Sequence, residues 1–180
     1  YPGVDEEAML PMVVKKLQSA TSLPLQLDSS NPLALEAGLR VYNGKAVVNS
    51  VNGDSEVLEK ILPIVKKYGA AVVGLTLDED GIPKTAEGRL AIAGKILDAA
   101  VAHGIPREDV WIDCLTLTAS AQQEQAAETL RAVGMVNREL RLKTVLGVSN
   151  ISFGLPCRSL ITQSFLTQAL FAGLDMPIIN

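Results

Sequence analysis

The sequence predicts a parallel α/β fold, an incomplete (β/α)8 or TIM barrel of about six strands. Three observations carry this expectation. Short apolar runs rich in β-branched residues recur along the chain, continuous rather than alternating, as in strands covered on both faces. Helical stretches with recognisable ends separate them. No Gly-x-Gly-x-x-Gly follows any run, which argues against a dinucleotide-binding sheet, the other common fold of repeated strand–helix units. A complete barrel takes about 250 residues and eight strands. The 180 residues here, with six runs, match a barrel without its first two strands and its last helix.

The runs fall at 23–28, 46–49, 70–77, 110–115, 144–149 and 176–180. A helix over 5–20 precedes the first. Asn31-Pro32, an N-cap followed by proline at the first helical position, opens a second through Val41. Asp54 or Ser55 opens a third to Tyr68, stopped by Gly69. Thr85 caps a fourth to His103, ended by Gly104 and Pro106. A fifth is expected from Ser120 to about Met135, and a sixth from Arg158 to Phe171, ended by Gly173. Pro11 and Pro63 lie inside the first and third helices, which are expected to kink or to start late.

Composition narrows the function classes. With 48% hydrophobic residues the chain can bury a substantial core, and residues 1–180 are read as one domain. The opening Tyr1-Pro2-Gly3-Val4-Asp5 reads as the middle of a loop, and the last run stops short. The domain is therefore expected to be a piece of a longer one. Sixteen basic against 20 acidic residues give a net charge of -4, with no basic cluster, so nucleic acid is not expected as a partner. No apolar run is long enough to span a bilayer and no signal peptide is present. Two isolated cysteines, Cys114 and Cys157, suit a reducing cytoplasm. With a single distant histidine, His103, they offer no metal-ligand spacing, so no metal site is expected. His103 reads as a helix-end residue, Trp111 as core packing and Lys84 as a solvated loop residue.

The chemistry gathers at the ends of the strands. Four runs finish on an acid or amide: Asp28, Asn49, Asp113, and Ser149-Asn150. In a parallel barrel all such positions face the C-terminal mouth, where catalytic residues are found. Two carboxylates and two amides would converge there, with no obligatory positive charge. That set suits a neutral, donor-rich heterocycle better than a phosphate. Asp or Asn after a strand also commonly caps the next helix, and Asn31 is read only as a cap.

The segment Gly147-Val148-Ser149-Asn150-Ile151-Ser152-Phe153-Gly154-Leu155-Pro156-Cys157-Arg158 is the most specific signal in the chain. It resembles the Gly-x-Ser-Asn-x-Ser-Phe-Gly-Leu-Pro-x-Arg segment of the folate-binding domain of cobalamin-dependent methionine synthases. Leu27-Asp28-Ser29-Ser30-Asn31, Val48-Asn49-Ser50, Gly81-Ile82-Pro83-Lys84, Ile112-Asp113 and Gly173-Leu174-Asp175 resemble other motifs of that family, in the same order. A sibling family, methyltransferases serving a corrinoid/iron–sulfur protein, shares most of them. The resemblance implies a pterin-binding barrel that takes 5-methyltetrahydrofolate and passes its N5 methyl group to the Co(I) of a cobalamin or other corrinoid. That corrinoid would belong to another domain or protein.

It further implies roles for single residues. Asp113 would accept from the pterin 2-amino group and N3–H, Asn49 and Asp28 would complete the ring-edge contacts, and Asn150 would sit near N5 as the catalytic residue. Ser149 and Arg158 join the same pterin-binding set, although Arg158 could equally serve the corrinoid partner or pair with a carboxylate. Cys114 departs from members that place proline after the aspartate and is read as a small packing residue. The alternatives are a non-catalytic pterin- or folate-binding module, or dihydropteroate synthase. The latter would be expected to carry lysine where Ser149 and Asn150 stand. An aldolase-like lyase would need a strand lysine, and Lys45 and Lys143 precede their runs. A homodimer stays open as an assembly state.

Overall fold

The computed structural model describes residues 3–179; Tyr1, Pro2 and Asn180 lie outside the described residues, and with them the ends of the first-loop and sixth-run expectations. Helix α1 spans Glu6–Ala20, β1 Gln26–Asp28, α2 Pro32–Val41, β2 Val47–Asn52, α3 Ser55–Tyr68 and β3 Ala71–Leu75. Then follow α4 Ala86–Ala102, β4 Val110–Asp113, α5 Glu124–Met135, β5 Lys143–Gly147, α6 Arg158–Ala172 and β6 Met176–Ile178. All neighbouring strands pair in parallel in the order β1-β2-β3-β4-β5-β6, a sheet that curls into a half-barrel. No helix among the described residues is long and apolar enough to cross a membrane.

The helix starts are made by the residues that the sequence offers as caps. Asn31 Oδ1 accepts from Leu33 N at 2.9 Å, Asp54 Oδ1 from Glu56 N at 2.8 Å, and Thr85 Oγ1 from Gly88 N at 3.2 Å. Each satisfies a backbone donor that the first turn leaves unpaired. Gly69 closes α3 with φ 63°, a left-handed conformation in which a side chain would be strained. The two prolines do not delay their helices. Pro11 and Pro63 lie inside α1 and α3, which begin at Glu6 and Ser55. The carbonyls released from helical bonding belong to Glu7 and Glu59, four residues earlier on exposed turns, where solvent completes them.

Strand edges shift for local reasons. The first strand starts after Pro24, which has no N–H to give the ladder. The fifth helix begins at Glu124 rather than Ser120, because 118–123 is tied elsewhere. Thr118 and Ser120 donate to Phe153 O at 2.7 and 3.0 Å, and Ala119 N to Ile151 O at 3.0 Å. At its other end the helix continues as a wider turn through Leu140.

The pairing register sorts the sheet into two faces. Leu27, Val48, Val72, Val110, Ile112 and Leu146 point to the helices and are fully buried. Between them Asp28, Asn49, Trp111, Asp113 and Met176 point to the concave face and keep solvent access. Trp111 is therefore half-buried on the concave side, with Nε1 donating to Glu108 O at 3.1 Å, rather than packed in the core under the helices. The main core lies between sheet and helices, around Leu35, Leu62, Val65, Ile96 and Val133.

Candidate functional site

Asp28 ends β1, whereas Asn49, expected at a strand end, lies inside β2, which runs on past the irregularity at Ser50 to Asn52; the two form a directly paired position in the register. Asn49 Nδ2 donates to Asp28 Oδ2 at 3.1 Å. On the same face, Asp113 ends β4 and is in register with Leu75 of β3 and Val145 of β5. Asp113 lies one concave-face position further along than Asn49, whose row runs through Val73 to Trp111. Gly147 of β5 lies one position further again, paired with Ile178. Strands of a barrel tilt across its axis, so a level mouth climbs through pairing rows from strand to strand. Asp28, Asn49 and Asp113 therefore gather toward one end of the concave face.

Asn150 leaves β5 in the turn Val148–Ser152 and folds back. A Cβ built on Gly147 would meet its Nδ2 at 3.1 Å, so the amide fills the space over Gly147 where a concave-face side chain would stand. The glycine is what allows this residue to reach the mouth. Ser149 is half-buried, and its carbonyl accepts from Ser152 Oγ at 3.1 Å and Arg158 Nη2 at 3.4 Å. Arg158 is exposed, donates from Nε to Ser152 Oγ at 3.1 Å and lies 4.6 Å from the Phe153 ring centre. Among the described residues it pairs with no carboxylate; it braces the loop after β5 beside a groove that includes Ser149, Thr162 and Ile179.

Asp113 has the most perturbed carboxyl of the site. Burial pushes it up from 3.8 to about 6, against the lowering effects of the Leu115 N–H and of the Arg89 charge. Oδ1 accepts from Leu115 N at 2.7 Å, while Oδ2 has no donor among the described residues. A half-buried carboxylate with one open oxygen is an acceptor waiting for N–H groups. Cys114, next along, is a buried thiol whose pKa is raised by burial, so it stays neutral and packs.

Two residues at this end escape the strand-end pattern. Asn52 reaches the concave face because the register shifts between Asn49 and Val51, leaving Ser50 as an extra residue. The shift pairs Asn52 with Leu75, in the same row as Asp113, and its Oδ1 accepts from Asp54 N at 2.9 Å. The signal was the spacing of Val48 and Val51, both buried against helices three residues apart where a regular strand needs two. The other is Arg89 on α4, fully buried. It stands in phase with Ile92, Ile96 and Ala100 on the buried stripe, where an arginine is out of pattern.

No group of three or more His, Cys, Asp or Glu placed to hold a metal occurs among the described residues. The His103 ring lies at the end of α4, with Nδ1 2.9 Å from Ala99 O, remote in the chain from these strand ends.

Against this geometry, three kinds of likeness agree. The methionine synthases of Mycobacterium tuberculosis and Mycobacterium leprae are each 34% identical over 193 residues, all of this chain but 16% of theirs. The chain thus spans about a sixth of the length of these two curated relatives. The methylcorrinoid:tetrahydrofolate methyltransferase of Eubacterium limosum is 27% identical over 184 residues, 99% of this chain and 67% of that protein. Dihydropteroate synthase from Thermus thermophilus superposes with a TM-score of 0.75 at 19% identity, covering 98% of this chain and 71% of that one, a likeness of fold. The family model for pterin binding enzymes matches residues 2–180. The chain belongs to the pterin binding enzyme family.

Proposed function

We propose that the concave mouth binds 5-methyltetrahydrofolate and that the protein passes its N5 methyl group to a Co(I) corrinoid carried by another domain or protein, as in methionine synthase. Residues 1–180 are taken as one pterin-binding domain, six strands of an eight-stranded barrel. The observation that carries the reading is the open Oδ2 of Asp113, on the same face as the Asp28–Asn49 pair and the Asn150 amide. The pterin's 2-amino group and N3–H form a two-donor edge that a carboxylate accepts well. Asn49 and Asp28 are assigned the ring edge, and Ser149 and Arg158 the rim.

The chemistry asks for a proton on N5. When the methyl group leaves, the C–N5 electron pair stays on nitrogen, and the corrinoid acceptor supplies the pair for its new bond. Without a proton the product would be an amine anion, a poor leaving group. Asp28 and Asp113 are both assigned to the ring edge as acceptors, which leaves no general acid for N5 among the described strand-end residues. Proton delivery is therefore assigned to solvent, and the Asn150 carbonyl accepts from N5–H⁺ as charge develops. Positioning supplies much of the remaining rate. Relatives that act in corrinoid chemistry favour this reading over dihydropteroate synthesis, as does Ser149-Asn150 in place of the lysine that the latter would be expected to carry.

Asp113→Asn tests the reading at its centre. The substitution exchanges an acceptor for an amide donor that opposes the pterin N–H groups, an unpaired buried donor costing about 1–3 kcal/mol. Calorimetry on the intact protein is expected to show methyltetrahydrofolate affinity lower by roughly tenfold or more. Unchanged affinity would remove Asp113 from the site.

A further inference from the structure

Arg89 is a buried charge that the proposed chemistry does not use. Its guanidinium donates to five oxygens: Pro83 O at 3.0 Å, Cys114 O at 2.8 Å, Leu115 O at 3.1 Å, Thr129 Oγ1 at 2.7 Å and Gln125 Oε1 at 2.8 Å. None of the five belongs to a carboxylate. Burying an arginine without contact to an anion is costly, and an apolar residue of similar length would fill the same space. Burial indeed lowers its pKa from the usual arginine value, and the charges of neighbouring acids oppose that shift.

The bonds converge on one place. Two of them hold the carbonyls of Cys114 and Leu115, the turn directly after Asp113. Leu115 has φ 61°, in the left-handed region that a leucine adopts only when its surroundings hold it there. Its N–H is the donor to Asp113 Oδ1. Thr129 on α5 ties the same turn, with Oγ1 within 3.1 Å of Leu115 O.

We propose that Arg89 is a positioning residue for the Asp113 carboxylate: from α4 its guanidinium clamps the Cys114–Leu115 turn whose N–H holds Oδ1, which leaves Oδ2 to accept from the N–H edge of a pterin. This rests on the pterin reading above. The ionisable groups on the elements packed around the end of β4 are few. On α4 Arg89 is the one that reaches it, with Glu87 paired to Arg131 and Lys95 and Asp98 further along the helix; α5 carries Glu124, and Glu128, which pairs with Arg131 at 2.8 Å. The far end of β5 carries the exposed Lys143, β3 has none, and β4 itself continues into the Cys114 thiol. Arg89 is the cation among them that lowers the Asp113 carboxyl, which burial still leaves raised at about 6. A carboxyl without that cation would be protonated nearer neutral pH and would present an O–H in place of an acceptor.

The test is the pH dependence of methyltetrahydrofolate binding to the intact protein, measured by calorimetry between about pH 5.5 and 8.5. Asp113→Asn, with no carboxyl to titrate, reports any contribution from the ligand's own ionisation. Wild-type affinity is expected to be flat above neutral pH and to fall below about 6, where Asp113 takes up its proton. In Arg89→Met the midpoint is expected to move up, so that affinity lost at neutral pH recovers in mild alkali. Arg89→Lys keeps a charge but loses the Nε and Nη2 bonds to Pro83 O and Gln125 Oε1 that fix the guanidinium, so its affinity is expected to fall several-fold at every pH with the midpoint near that of wild type. An Arg89→Met midpoint equal to wild type, with affinity lowered uniformly or not at all, would reduce Arg89 to a structural residue and overturn the proposal. Should Arg89→Met not fold, Thr129→Val, which keeps the charge and removes one anchor, is expected to weaken binding several-fold; unchanged binding overturns the clamp. If wild type does not bind the ligand, the pterin reading fails and this inference falls with it. Wild-type binding lost in Asp113→Asn, with an unmoved Arg89→Met midpoint, leaves the pterin reading standing and removes only this inference.

Discussion

Asp113 is asked to be charged in a place that disfavours charge. Its carboxyl is raised in the folded protein from 3.8 to about 6, chiefly by burial. A group whose folded pKa is raised contributes stability that is fully present below its unfolded pKa and is lost as pH rises through the folded value. For Asp113 that window runs from about 3.8 up to about 6, and at neutral pH the ionised side chain weakens the ligand-free fold. Asp113→Asn removes the penalty while its side-chain oxygen can still accept from Leu115 N. The ligand-free variant is therefore expected to be more stable at neutral pH by roughly 1–2 kcal/mol, a few degrees in Tm, with the gain shrinking on acidification. Thermal unfolding at neutral pH and at a pH near 4 checks this. A variant less stable than wild type at neutral pH would show that the carboxylate is already well compensated without ligand. The same substitution is expected to weaken pterin binding, so the residue trades stability for recognition.

Elements set where these residues stand, and α4 packs closely on β3. A Cβ on Gly74 of β3 would meet Ile96 Cγ2 at 2.8 Å and Ile112 Cδ1 at 3.3 Å, so helix and strand approach as closely as a glycine allows. Gly74→Ala is expected to cost about 1–3 kcal/mol in denaturant unfolding, because Ile96 must shift. Arg89 rides on the same helix two turns before Ile96, so methyltetrahydrofolate affinity is expected to fall as well. Lost stability with untouched affinity would show that α4 does not set the geometry of the Cys114–Leu115 turn. Much at this scale was legible in the sequence, since Asn31-Pro32, Asp54, Thr85 and Gly69 mark helix ends by local hydrogen bonding alone. What was not legible depends on distant partners. The loop 118–123 looks helical until Phe153 and Ile151 claim its hydrogen bonds. Asn52 reaches the mouth only through the irregularity at Ser50, and the role of Arg89 is visible only once α4, α5 and the end of β4 meet. Asp28 and Asp113 were readable because a parallel sheet sends every strand end to the same side, whereas Asn49 lies inside β2 and reaches this face by pairing with Asp28.

At the scale of the molecule, the half-barrel presents a concave face with polar groups at one end and apolar surface at its two edges. Helix α1, beside β1, exposes Met12 and Leu17, and α6, before β6, exposes Leu160 and Phe171. Apolar patches of this kind are usually covered, by further units of a barrel or by a partner. The face between them holds its amides and carboxylates in rows that climb from β1 to β5, the arrangement of a level rim on tilted strands. The central claim is that this rim both holds methyltetrahydrofolate and promotes release of its methyl group, and Asn150 separates the two. If its carbonyl stabilises the N5–H⁺ that forms on the way to the transition state, losing it costs about 2.7–4 kcal/mol of barrier, on the order of a hundred- to a thousandfold in rate. A water entering the space left by the side chain would bring the loss to the low end of that range. The most direct measurement is single-turnover methylation of Co(I) cobalamin by the intact protein at saturating methyltetrahydrofolate, wild type against Asn150→Ala, with folate affinity measured in parallel. The account predicts methyl transfer by the wild type and, in the variant, a rate loss of that order with affinity little changed. Absence of transfer by the wild type, or a normal saturated rate in the variant, would contradict it.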